Sequence, residues 1–95
     1  MTTRAAATDS TAAVPRRTLD ILCQVTGDAD VLTDLDLPLY SAGVLDSLGT
    51  VSLMVAFEEA FGLAISPAEF DKEAWGTPRM IVADVERRLL LARSQ

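Results

Sequence analysis

The chain has 95 residues, enough for one domain with a modest core, and its apolar content of 49% suffices to fold it. It has no His and a single Cys, which excludes zinc sites built from His and several Cys, an intramolecular disulfide and the commonest neutral-pH general base. No run approaches the length of a membrane span, and residues 1–17 lack the apolar centre of a secretory signal, so the cytoplasm is the expected location. Residues 18–71 hold ten Asp and Glu and no Lys or Arg, the basic residues lying in the N-terminal stretch or from Lys72 onward. Such a field disfavours nucleic acid and anionic membranes; it reads either as a docking field for basic partner surfaces or as a solubilising surface. Seven of the eight basic residues are Arg, a usage typical of GC-rich bacterial genomes.

Residues 1–15 show no apolar period and close on Pro15, and are expected to form a disordered tail ahead of a domain over 16–92. A first helix is expected over 16–25, where Leu19, Leu22 and Cys23 share one face and Gly27 is a stop. Cys23 on that stripe reads as a small buried thiol. A long loop follows over 28–46, broken by Pro38 and Gly43, with Leu35, Leu37, Leu39, Tyr40, Val44 and Leu45 to anchor it. Asp28, Asp30, Asp34 and Asp36 invite comparison with a calcium loop. The sixth position from Asp28 is Thr33 where Gly is needed, and the twelfth is Leu39 where Glu is needed, so no metal site is assigned.

The second helix, from Ser47 or Leu48 to Phe61, is the best defined, with Gly62 to end it. Leu53, Phe57 and Phe61, flanked by Thr50 and Met54, form its core stripe. Leu48, Val51, Ser52, Val55, Glu58 and Glu59 lie on the opposite face, an apolar patch that ends in two acids and suggests a docking surface. Ser66-Pro67-Ala68-Glu69 carries the start signal of a short helix reaching 74, anchored by Phe70 and Trp75. Thr77-Pro78 opens a last helix over 78–92, with Ile81, Val82, Val85 and Leu89 inward. The expected fold is a small all-α four-helix bundle, three main helices and one short one, with a long loop between helices 1 and 2.

Asp46-Ser47-Leu48 stands where that loop meets the second helix. A serine there presents its hydroxyl beside free backbone N–H groups and the positive end of the helix dipole, a sensible place to attach a phosphodiester. Taken alone the tripeptide is equally an ordinary N-cap. The longer stretch Leu39-Tyr40-Ser41-Ala42-Gly43-Val44-Leu45-Asp46-Ser47-Leu48-Gly49-Thr50-Val51 resembles the phosphopantetheine-attachment region of acyl and peptidyl carrier proteins. The nearest resemblance is to the D-alanyl carrier proteins. Asp-Ser-Leu-Gly-Thr-Val and the later Glu69-Phe70-Asp71, Trp75 and Thr77-Pro78 carry it over residues 18–92.

The resemblance implies a 4'-phosphopantetheine arm on Ser47, adjacent to Asp46, and a thioester on the arm's thiol. It implies a phosphopantetheinyl transferase, an adenylation enzyme and an acyltransferase as partners, and a chain that is a monomer when free and has no catalytic residue of its own. Leu48, Val51 and Val55 would meet an apolar groove in those partners, and Asp36, Asp46, Glu58 and Glu59 their Arg or Lys. Fatty-acid carriers usually place acids directly after Asp-Ser-Leu and three positions later; here those places hold Gly49 and Ser52, which points to a specialised carrier. The Arg-rich usage and the Ala/Thr start favour a discrete aminoacyl carrier of polyketide (macrolactam) natural-product biosynthesis, delivering a β-amino acid unit. The alternative is a D-alanyl carrier for teichoic acid modification. A helical adaptor without cargo and a carboxylate-dependent hydrolase are the remaining readings.

Overall fold

A computed structural model describes the backbone over residues 3–93 and the side chains over 13–68 and 70–92. Three α-helices make the frame: α1 (Thr3–Thr26), α2 (Ser47–Phe61) and α3 (Pro78–Arg93). Among the described residues there is no strand, and no helix is long and apolar enough to cross a membrane. The all-α architecture and the loop between the first two helices match the expectation from sequence.

Three segments differ from it, one of them a 3-10 turn over Ala29–Leu32 inside the expected loop, capped by Asp28. Helix α1 begins at Thr3, so residues 3–15 of the stretch expected to be a tail have helical backbone, while residues 1 and 2 lie outside the described residues. Alanines at 5–7, 12 and 13 supply the best helix propensity available, and they outweigh the one backbone bond that Pro15 removes. Thr18 donates its hydroxyl to the Val14 carbonyl (2.7 Å) beside that proline. The short helix expected after Ser66 is two 3-10 turns, Pro67–Glu69 and Lys72–Trp75. Ser66 makes no side-chain cap, and Phe70 turns to extended backbone, which sets its ring edge-on to Trp75 at 4.6 Å between centroids. Asp71 then starts the second turn by accepting the Glu73 N–H. Aromatic packing fixed the chain here more strongly than the local capping signal.

The core is continuous from α1 through the loop to α3. Leu22, Val31, Leu39, Leu53, Phe57, Trp75, Ile81 and Val85 are fully enclosed, with Met54, Leu45, Leu63 and Ile65 nearly so. Cys23 is half-buried against this cluster, and Phe61 lies at its edge under the Arg17 guanidinium, 5.0 Å from the ring centroid. Helix α2 stops at Gly62, whose φ of 73° places it in the left-handed region, and its N–H closes on the Glu58 carbonyl. Helix α3 starts as expected, with the Thr77 hydroxyl accepting the Met80 N–H and Pro78 in the first position.

Trp75 brings an indole N–H into the core, and a buried donor needs a partner. That partner is Asp84, buried on α3, whose Oδ2 accepts from Trp75 Nε1 at 2.8 Å and from Arg88 Nε at 2.8 Å. Arg87, one residue earlier, donates to Oδ1. Burial pushes the Asp84 carboxyl up, but the hydrogen bonds from Arg88, Trp75 and Arg87 outweigh it and hold the group below the ordinary carboxylate range. A lowered pKa in the folded state adds stability that is present above the unfolded value of about 4 and is lost as pH falls through the folded value. Asp84→Asn is therefore expected to cost about 1–3 kcal/mol at pH 7 by urea unfolding. The difference between the two proteins should shrink below about pH 4, where the parent loses the same charge.

Candidate functional site

The site is built by the loop that precedes α2. Leu39 is its anchor: the side chain is wholly buried, its N–H donates to the Gly76 carbonyl (2.9 Å), and its carbonyl accepts from Val44 (2.9 Å) and Leu45 (3.1 Å). The turn between them needs one left-handed residue, and Gly43 supplies it at φ 76°. Leu45 is nearly buried beneath the loop, so the next residue, Asp46, emerges at the surface as the N-cap of α2.

Asp46 holds the first turn twice. Its Oδ1 accepts the Gly49 N–H at 2.8 Å, and its carbonyl accepts the N–H of Thr50 at 2.9 Å and the Thr50 hydroxyl at 2.8 Å. Ser47 is the first residue of α2 and is exposed. Among the described residues its Oγ has no hydrogen-bond partner, and the N–H groups of Ser47 and Leu48 are not engaged either. A free hydroxyl beside two free backbone donors at the positive end of a fifteen-residue helix suits a phosphate ester. The residues present therefore fit the arm that the sequence implied.

Gly49 lies close beneath this turn. A Cβ there would stand 3.0 Å from Leu45 Cδ1 and 3.3 Å from Asp46 Oδ1, so the position presses on the cap itself.

The other expected residues fall on two surfaces. Leu48, Val51 and Val55 are 76%, 46% and 51% exposed, and they line the face of α2 turned away from buried Thr50, Leu53, Met54 and Phe57. Glu58 and Glu59 continue that face at the surface toward the helix end. Asp36 lies apart, on the loop, where the Arg79 guanidinium of α3 grips it at 3.0 and 3.3 Å. Those hydrogen bonds hold the Asp36 carboxyl below its ordinary range and raise Arg79 in return. Both groups are exposed, so the pair is screened by salt and a partner's cation would have to displace Arg79 to reach Asp36. The loop aspartates stay at the surface and also make local turns: Asp28 accepts the Asp30 N–H and Asp34 the Asp36 N–H.

The sequence reading passed over Tyr40 and Thr50 as site residues. The Tyr40 hydroxyl lies 2.7 Å from Thr50 Oγ1, and Lys72 Nζ stands 4.7 Å above the Tyr40 ring centroid. No spacing rule couples a loop tyrosine to a helix threonine ten residues on, so only the folded loop reveals the contact.

With this geometry in place, comparison with known proteins defines the class. The family model described as the phosphopantetheine attachment site matches residues 16–85, most of the chain, and the protein belongs to that family of carrier domains. It is similar to the D-alanyl carrier protein of Lacticaseibacillus casei (strain BL23), 45% identical over 75 residues that cover 79% of this chain and 93% of that protein. The D-alanyl carrier protein of Lacticaseibacillus rhamnosus is 44% identical over the same shares of each chain. That of Enterococcus faecalis (strain ATCC 700802 / V583) is 43% identical over 72% of this chain and 87% of its own length. The chain is thus a phosphopantetheine carrier, a cosubstrate of other enzymes and not itself a catalyst. Carriers of this kind work with a phosphopantetheinyl transferase and with acyl-transferring or ligase enzymes.

Asp46→Ala should cost about 1 kcal/mol in urea unfolding, the worth of an N-cap, and Asp46→Asn should restore most of it because the amide oxygen can still accept the Gly49 N–H.

Proposed function

We propose that Ser47 carries the phosphopantetheine arm and that the cargo is an aminoacyl group, with D-alanine the favoured one. The observation that carries the assignment is the exposed, unpaired Ser47 hydroxyl on the first turn of α2, beside free N–H groups that suit a phosphodiester. In the modification, Ser47 Oγ attacks the phosphorus of coenzyme A that bears the pantetheine. The Oγ–P bond forms, and the P–O bond to adenosine 3',5'-bisphosphate breaks with its electron pair on that leaving group. The serine proton goes to a base on the transferase or to water. The arm supplies a thiol for thioester chemistry; the chain's own part is to hold Ser47 outward and to present a face for docking.

Sequence composition alone favoured a β-amino acid of natural-product biosynthesis. The relatives argue for the alternative, since the three compared above, 43–45% identical, are D-alanyl carriers. Both cargoes enter through an adenylation enzyme, so the docking chemistry is shared. Leu48, Val51 and Val55 offer it an apolar strip, and Glu58 and Glu59 a negative end.

Incubation with coenzyme A and a broad-specificity transferase should add one phosphopantetheine to the parent by intact mass, and none to Ser47→Ala. The modified protein should then take D-alanine from a D-alanine-activating adenylation enzyme in preference to a β-amino acid offered by its own. Loading of the β-amino acid alone would return the natural-product reading. Replacing Glu58 and Glu59 together by Lys should lower transfer kcat/KM about tenfold at low salt and less at high salt. The unfolding midpoint should hardly move, as is usual for exposed positions. Unchanged transfer would remove these two acids from the docking surface.

A further inference from the structure

We infer that Tyr40 is a positioning residue for the modification of Ser47, acting through Thr50 and the Asp46 carbonyl; this rests on Ser47 being the attachment point. The hydrogen positions follow from counting. Thr50 has one hydroxyl proton, and the Asp46 carbonyl, which can only accept, takes it at 2.8 Å. The Tyr40 hydroxyl, 2.7 Å away, must therefore be the donor to Thr50 Oγ1. The relay runs Tyr40 O–H to Thr50 O–H to Asp46 C=O, and the Thr50 N–H adds a second bond to the same carbonyl.

The end of the relay is the peptide unit that joins Asp46 to Ser47. That unit is planar and trans, so its carbonyl and the Ser47 N–H point in opposite directions. Drawing the Asp46 carbonyl inward toward buried Thr50 turns the Ser47 N–H outward, toward the place a phosphate would occupy. Tyr40 is itself well fixed. Its carbonyl accepts the Gly43 N–H at 3.1 Å, its ring lies under the Lys72 ammonium, and it follows Leu39, the buried anchor of the loop. The first turn of α2 is thus oriented from the loop, on the side opposite the exposed Leu48–Val51–Val55 strip, and docking and orientation are separable.

Tyr40→Phe tests this directly, because it keeps the ring under Lys72 and removes only the hydroxyl. With the same transferase and coenzyme A, Tyr40→Phe and Thr50→Val should lower kcat about fivefold, the weight of one net hydrogen bond, while KM stays near the parent's. Thr50→Ser, which keeps the hydroxyl, should recover the parent's rate. Hydrogen exchange at the Gly49 and Thr50 amides should quicken in Tyr40→Phe, and exchange at the Leu53 and Phe57 amides should not. A parent-like kcat for Tyr40→Phe overturns the inference, whatever its unfolding midpoint, and leaves Ser47 as the site. Faster exchange throughout α2 with parent-like kcat assigns the bond to stability alone and also overturns it. If the parent gains no phosphopantetheine, or Ser47→Ala still does, the carrier assignment of Ser47 falls first and this inference with it.

Discussion

Everything at the functional end of the molecule depends on how the chain between α1 and α2 is held at Leu39. A loop of this length has many backbone donors and acceptors and little helical pairing to satisfy them. Leu39 solves the problem by joining three parts at once: its side chain is sealed in the core, its N–H ties to Gly76, and its carbonyl gathers Val44 and Leu45. From that fixed point the chain has one place to start α2, and Asp46 caps it there. Leu45 is nearly buried, and Ser47, the first residue after the Asp46 cap, is exposed.

The same helix serves two solvents. Its inner face meets a core centred on Phe57 and Trp75, whose rings cross nearly at right angles with centroids 5.5 Å apart. Its outer face leaves Leu48, Val51 and Val55 in water, an arrangement that folding does not reward. A carrier gains from it, since each partner must bind, act and leave. In the docking role proposed for it, a short apolar strip with acids at its end would give weak, steered contact of that kind. The Trp75–Asp84 hydrogen bond ties the 3-10 turn at Trp75 to α3 and involves none of the exposed residues Leu48, Val51 and Val55.

Much of this was readable in the sequence. The three main helices, the stop at Gly62, the cap at Asp46 and the division of α2 into inner and outer faces all follow from local rules of period and capping. The parts that were not readable depend on contacts between distant residues. The Ser66–Glu69 box is a sound helix signal, yet Phe70 leaves the helix to reach Trp75. Asp36 looked like a free acid, and Arg79, 43 positions on, closes over it. Asp84 gave no signal at all, because its burial is explained only by the indole and guanidinium groups that meet it. The start of α1 at Thr3 has a different reason: Pro15 is a local breaker, but it removes one backbone bond while the alanines before it favour helix.

The central claim is that one hydroxyl, that of Ser47, bears the arm. Fragmentation of the enzymatically modified protein in the mass spectrometer, with the phosphopantetheine-bearing fragment ions assigned residue by residue, tests it most directly. Every modified fragment should contain Ser47, with Ser41, Thr50 and Ser52 unmodified. A phosphopantetheine located on any of those neighbours, or spread over several, would contradict the account.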